Sequence, residues 1–496
     1  MECLLQKTEM KLLSTWLVLL IVNQAISILK TEEVTWHPTY HLAPPKGWIN
    51  DPNGLIYHNG CYHAFFQYNP ENNKEGTKYW GHARSYDMLN WEYLPIALSP
   101  SLEDDINGIF SGSAVNIHGK LVLIYTGVSD NFNKQRQMVA ISSDDVNFEK
   151  RGVVIIKDKD ESNFRDPKAW FQNGSWWVVM GSQTTDKLGE VLLYSSNDFF
   201  NWTYQGVLAG GNESLGYMWE CPDFFTINGK QILVVSPQGI KQDGFNYQNL
   251  YQTGYFVGDW EPGKNYTIKK GFTEIDHGHD FYASQSFLAP DGRRIQISWL
   301  DMWESVFAEN VTGWSGMFTI PREISLTDSG DLLSKPIREI LEKRNQNTDI
   351  FDTIISSNQM LTLNNSVFSS EILIEFNFLN SSCQAIQLFL KEEPTIDEGV
   401  VLYVDFELNR LFMERYYPKY GLDKSNRSVA IDLSLSKLSL DIFVDSSSIE
   451  VFVNDGVAVM SSRIYPNNNQ RKFSVAPVNG YVNISLISYD IVVKNQ

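Results

Sequence analysis

Short apolar runs with strong β character recur along the first three hundred residues, and five of them open on a turn dipeptide ending in glycine. They are Asn59-Gly60 before CYHAFFQY, His118-Gly119 before KLVLIYTG, Asn173-Gly174 before SWWVVMG, Asn228-Gly229 before KQILVVS and Asp291-Gly292 before RRIQISWL. Successive glycines lie 59, 55, 55 and 63 residues apart. A period near 57 that carries several short strands per unit predicts the blades of a β-propeller. A second pattern keeps the same beat: S-x-D-x-x-N-aromatic recurs as Ser85 to Trp91, Ser142 to Phe148 and Ser196 to Trp202. Ser, Asp and Asn are turn formers, so this pattern predicts an outer hairpin turn in the first three blades.

Ahead of each glycine stands a residue of chemical interest. Asp51 lies nine residues before Gly60, Asp166 eight before Gly174 and Glu220 nine before Gly229; Ser111 and Ser284 hold the matching places in the other two repeats. If the glycine turn follows the innermost strand, all five residues begin an inner strand and face the central channel. Asn-Asp-Pro-Asn-Gly and Arg-Asp-Pro are also ordinary turn sequences, but three acids in register point to convergence at one mouth.

Blade-like sequence runs to about Glu323. Pro336 to Lys343 predicts a short helix and polar residues follow to Thr348, so residues 336–349 form the expected helical linker between a propeller over 28–335 and a second domain over 350–496. There, strands such as SEILIEFNF, GVVLYVDFE and LSLDIFVD alternate without the blade period, and SIEVFV turns back across Asn454-Asp455-Gly456. The expected fold class is all-β, a five-bladed β-propeller followed by a β-sandwich. The second domain carries no acid cluster or metal spacing, so its expected part is structural, or that of a platform for oligomers or long substrates.

At 496 residues the chain buries a large core. Aromatics make up 13% of it, which suits stacked sheets and sugar-binding surfaces. The net charge is −19 and no Lys/Arg run forms a basic patch, which excludes a nucleic-acid binder. Lys7 and Lys11 precede the apolar run Leu12 to Val22, and Ala25-Ile26-Ser27 offers a small-x-small cleavage site, so residues 1–27 are expected to be a secretory signal, with Met10 as an alternative start. That run is too short for a membrane span. Asn-x-Ser/Thr sequons at Asn173, Asn201, Asn212, Asn265, Asn310, Asn364, Asn380, Asn426 and Asn483 fit a secreted, N-glycosylated protein. The mature chain would keep Cys61, Cys221 and Cys383, an odd count that argues against a disulfide framework.

Trp48-Ile49-Asn50-Asp51-Pro52-Asn53-Gly54, Phe66-Gln67-Tyr68-Asn69-Pro70, Trp80-Gly81-His82-Ala83, Phe110-Ser111-Gly112-Ser113, Arg165-Asp166-Pro167 and Trp219-Glu220-Cys221-Pro222-Asp223 resemble glycoside hydrolase family 32, the family of invertases, inulinases and levanases. The resemblance implies a retaining β-fructofuranosidase. In it Asp51 is the nucleophile, Glu220 the acid/base, and Asp166 bonds fructose hydroxyls, with Arg165 fixing Asp166 or touching the sugar. A retaining mechanism needs such a carboxyl pair, about 5–5.5 Å apart. Asn50, Gln67 and Ser111 would bond the sugar while Trp48, Phe110 and Trp314 wall it. Glu75, Trp80 and Tyr282 are further candidates. Glu75 is a departure, because the family commonly places an aromatic there.

The expected reaction is hydrolysis of terminal β-D-fructofuranosides, sucrose first, by a monomer or homodimer without cofactor. A fructan hydrolase, a fructosyltransferase and a non-catalytic fructan-binding propeller are the alternatives. A lectin has no use for a nucleophile and acid pair, and an inverting pentosidase would hold its carboxyls about 6.5–9.5 Å apart. His277 and His279 suggest a metal, but the remaining ligands have no spacing signature and the expected chemistry needs none.

Overall fold

The computed structural model describes residues 36–157, 162–392, 397–468 and 471–493; the expected signal segment lies outside them. Five sheets make up the first part of the chain. Their innermost strands are Gly47–His58 (blade I), Gly108–Ile117 (II), Phe164–Gln172 (III), Met218–Ile227 (IV) and Tyr282–Leu288 (V). Each contacts the next, and the fifth contacts the first, so they line the axis of a closed ring. Every innermost strand of blades I to IV runs straight into its glycine turn, and in each turn a left-handed Asn or His precedes a left-handed glycine.

Blades I to IV are four-stranded meanders. Blade V interrupts its meander between Arg294–Trp299 and Arg322–Leu326, and from that excursion Trp314–Ser315 adds a parallel pair beside Gly47 and Trp48 on blade I. The pair ties the last blade to the first, while the innermost strands of blades II to V remain the inner edges of their sheets. Apolar clusters fill the gaps between neighbouring blades. Phe65, Trp80 and Tyr125 pack between I and II, Ile124, Val178 and Tyr194 between II and III, and Val179, Trp219 and Phe256 between III and IV.

The outer turns form as the sequence pattern requires. In each one the Asp carboxylate (Asp87, Asp144, Asp198) accepts the backbone N–H groups of the residues two and three places on and the Asn side-chain amide. The residue between Asp and Asn bends left-handed at Met88, Asp145 and Phe199, and the two apolar ones point into the core.

The last blade strand is Leu332–Pro336. The stretch expected to be a helical linker over 336–349 holds only a 3-10 helix, Arg338–Lys343, and a strand starts at once at Arg344. Arg344 has reason to be extended: its guanidinium reaches the buried Glu371 on the next strand but one of the same sheet through two bonds of 2.5 Å. From there two six-stranded antiparallel sheets form the sandwich, with hairpin Ser448–Val453 to Ala458–Arg463 turning at the left-handed Asn454, Asp455 and Gly456.

Candidate active site

The five innermost strands share one irregularity. Near its start each carries a β-bulge, two residues facing one on the next strand or a single residue left over: Asn50-Asp51, Ser111, Asp166-Pro167, Cys221-Pro222 and Ala283-Ser284. A bulge re-aims side chains out of the alternation that a regular strand imposes. The prolines fit, because a bulged residue need not donate to the ladder. Asp166 (φ 66°), Cys221 (φ 48°) and Ala283 (φ 53°) are left-handed although none is glycine, the kind of backbone strain that collects at functional sites.

These bulges bring the three acids to one pocket of 830 Å³ at the propeller axis, lined in part by Asn50, Asp51, Gln67, Phe110, Ser111, Arg165, Asp166 and Glu220. Asp51 accepts from Ser111 Oγ at 2.6 Å and from Asn50 Nδ2 at 2.9 Å. Asn50 is itself aimed by Trp48, whose Nε1 donates to its Oδ1 at 3.1 Å, and the Gln67 amide lies 2.9 Å from Ser111 Oγ. Glu220 is the hub of the opposite side. Arg165 Nε donates to its Oε1 at 2.9 Å, while Gln238 Nε2 and Tyr282 Oη donate to its Oε2 at 2.7 and 2.6 Å. Asp166 accepts the Cys221 N–H at 2.9 Å, and its own N–H donates to Thr126. The Cys221 thiol sits 3.5 Å from Asp51 and 3.7 Å from Asp166, bridging the two acids.

Three carboxyls so close repel one another's charge. Burial, then the charge of Glu220, pushes Asp51 upward against the bonds from Ser111 and Asn50 and the cation of Lys78. Asp166 is pushed to about 7 by burial, with Glu220 and Asp51 adding to the rise while Arg165 and the Cys221 N–H oppose it. Burial works against the Arg165 cation, but the charges of Glu220 and Asp166 outweigh it and hold the guanidinium charged. Burial and the same acids keep the Tyr282 phenol and the Cys221 thiol protonated, so both remain donors.

Several candidates sit elsewhere than their motifs suggest. Arg165 lies on Glu220 and not on Asp166, because the bulge turns the two neighbours apart. Trp48 stands behind Asn50, tilted against Phe307 at 4.3 Å in an apolar cluster with Cys221, Tyr282 and Trp299, and does not line the pocket. Trp314 leaves the pocket altogether: its strand pairs alongside blade I and its ring lies 5.5 Å from the Arg463 guanidinium. Trp80 is fully buried and holds the Phe110 carbonyl at 3.0 Å, one residue from Ser111. Glu75 does line the pocket, exposed at its rim. His277 and His279 belong to the seam with the sandwich, where the His277 N–H donates to the Val459 carbonyl and the His279 ring meets Ser425 and Ser462.

Other lining residues carried no motif: Lys78, Phe132, Gln135, Asn163, Gln238, Tyr251 and Trp303. Gln238 was within reach of reasoning, since it ends the strand that pairs with the Glu220 strand, opposite Met218. Lys78 was not. Its ammonium is buried 5.5 Å over both the Trp48 and Trp303 rings without a hydrogen-bond partner among the described residues, and burial pushes it down to about 8 against the charges of Glu75 and Asp51.

Family comparison decides the assignment. The family model for the glycosyl hydrolases family 32 N-terminal domain matches residues 41–336, and that for the family's C-terminal domain matches 338–492. The chain belongs to glycoside hydrolase family 32. A sucrose-6-phosphate hydrolase and a raffinose invertase, both of Escherichia coli, are each 43% identical over 453 residues, covering 90% of this chain and 93% of the relative. Among solved structures, a mutant Bombyx mori family 32 β-fructofuranosidase in complex with sucrose superposes with a TM-score of 0.81 at 34% identity, covering 92% of this chain and 94% of the other. A family 32 enzyme is a glycoside hydrolase, and the pocket holds the carboxylates that such chemistry requires.

Proposed function

We propose that this glycoside hydrolase cleaves sucrose to glucose and fructose with retention at the fructosyl carbon. The observation that carries the reading is the division of labour around the pocket: two neutral donors hold Asp51, while a cation, an amide and a phenol hold Glu220. In the first step Asp51 attacks the anomeric carbon and Glu220 protonates the departing glycosidic oxygen. In the second, Glu220 takes a proton from water, which displaces Asp51 from the fructosyl-enzyme and restores both groups. Asp166 bonds sugar hydroxyls and stabilises the cationic transition state.

The choice of sucrose over its 6-phosphate rests on charge. Among the described residues that line the pocket are four acids, Asp51, Glu75, Asp166 and Glu220, but two cations, Arg165 and Lys78. Arg165 is paired with Glu220 and Lys78 Nζ is buried against two tryptophans. A phosphate dianion finds no exposed cation here, whereas a neutral sugar is indifferent to the net charge. Incubation with sucrose, sucrose 6-phosphate, raffinose and inulin, with products resolved by chromatography, tests the reading. Faster turnover of the 6-phosphate or of inulin would overturn the substrate, and the α-anomer as first fructose product, seen by NMR, would overturn retention.

We further propose that the enzyme is secreted and N-glycosylated. The apolar run Leu12 to Val22 supports export, and Asn173, Asn201, Asn212, Asn265, Asn364 and Asn426 are exposed. Expression in a eukaryotic secretory host should give a medium protein whose mass falls on treatment with an N-glycanase.

A further inference from the structure

We infer that Phe132 is the stacking platform for the leaving-group sugar, a wall of that sugar's subsite. The inference rests on the fructoside-cleaving reading above and adds a residue to it. Phe132 lies in the turn between the second and third strands of blade II, Lys120–Ser129 and Lys134–Ser142, and lines the catalytic pocket. It is 53% exposed, an aromatic left bare at the rim of a polar cavity.

Its backbone is more unusual than its exposure. Asp130, Asn131 and Phe132 are left-handed in succession, at φ 52°, 51° and 71°. Asp and Asn tolerate that region, but an aromatic there is an outlier. The apolar left-handed residues of the outer turns, Met88 and Phe199, are repaid by full burial. Phe132 gains no such burial, so its strain has no structural return and instead aims the ring at the pocket. The turn is built to stay so: Asn107 Oδ1 accepts the Asn131 N–H at 3.1 Å, and the Asn133 N–H returns to the Asp130 carbonyl.

Its place relative to the chemistry fixes which sugar it meets. The Phe132 ring lies 6.2 Å from that of Phe110 at an interplanar angle of 34°, extending the Phe110 wall outward from Ser111 and Asp51. Three residues on, Gln135 accepts from Arg165 Nη1 at 3.3 Å, and Arg165 holds Glu220. The turn therefore stands on the rim beside the acid/base, where the group released by protonation must sit. A hexose presents C–H faces that stack on an aromatic ring, and its hydroxyls remain free for Glu75 and water.

Phe132→Gly is the test, because glycine accepts a left-handed backbone without strain; Phe132→Trp restores an aromatic surface. Expected for the glycine variant is about a tenfold loss of kcat/KM on sucrose and an equal weakening of inhibition by glucose, the size of one lost aromatic contact. Inhibition by fructose and the unfolding temperature should hold, and Phe132→Trp should keep wild-type values. Unchanged glucose inhibition would overturn the assignment, as would equal weakening of glucose and fructose inhibition. A wild-type protein that cleaves no fructoside would sink the reading of the reaction instead, whatever the glycine variant does.

Discussion

Replacing Asp166 with Asn should make the protein more stable at pH 8 than at pH 5, relative to wild type, while it removes most of the activity. Asp166 is buried among like charges and ionises at about 7, against an ordinary 3.8. A carboxyl raised in the folded state holds its proton more tightly there than in the unfolded chain. Its contribution to stability is complete below about 3.8 and is lost as pH rises through about 7. Between pH 5 and pH 8 wild type crosses about two units of that window, roughly 3 kcal/mol at 1.36 kcal/mol per unit. Asp51 relaxes when its neighbour is neutralised, which lowers the expected difference to about 2 kcal/mol. Asn stays neutral throughout and its Oδ1 can still accept the Cys221 N–H. About 460 residues from Trp36 onward imply an unfolding entropy on the order of 1 kcal/mol/K, so the gap in unfolding temperature between variant and wild type should widen by about 2 °C from pH 5 to pH 8. Scanning calorimetry of both proteins at the two pH values measures it. A gap independent of pH, or one that narrows, would refute the placing of Asp166 in a charge-repelling cluster.

Asp51→Ala should abolish turnover, and Glu220→Gln should cut kcat by about 10²–10⁴-fold with little change in sugar affinity, since only proton transfer is lost; near-normal rates in either would mean the acids are wrongly assigned. Lys78→Met removes the cation that helps keep Asp51 ionised. The acid limb of kcat/KM should therefore move to higher pH, and a limb that stays in place would show Lys78 to be packing alone. Glu75→Trp should change the ratio of sucrose to raffinose cleavage if Glu75 reaches the leaving sugar; a constant ratio would confine Glu75 to solvent.

What the sequence made legible follows from its local physics. Turn glycines and the S-x-D-x-x-N pattern are short-range signals, set by left-handed backbone and by an Asp that accepts three donors, and the blade order follows from their spacing. The bulges are harder to see, since each depends on where the neighbouring strand places its own residues. Pro52, Pro167 and Pro222 were nevertheless a clue, because proline disturbs a ladder that must donate on both sides. Long-range packing is where motif reading failed. The Gly-Trp-Ser-Gly segment 313–316 suggested a pocket wall, yet its two-residue strand serves closure and carries Trp314 under the sandwich. Lys78 had no signal at all, as its neighbours Trp48 and Trp303 are brought to it only by the closed ring.

The sandwich, which supplies none of the described residues that line the pocket, bears on the site through that closure. Arg463 Nη1 donates to Asp301 at 2.6 Å and to Glu309 at 2.9 Å, and Glu309 in turn accepts from the Gly316 N–H and from Tyr465 Oη. All four side chains are fully buried. A second group pairs Arg322 of blade V with Glu450 and Asp276, and Glu450 also accepts the Ile320 N–H and meets His41. Buried ion pairs of this kind add little net stability, since desolvation offsets their attraction, but they tolerate few alternative arrangements. Their geometry fixes residues 309–322, and that segment sets Trp314–Ser315 against Gly47 and Trp48, three residues ahead of Asp51. The strand of Asp51 is thus held from its far side by the second domain, which gives the propeller a reason to keep a sandwich that lends no described residue to the pocket lining.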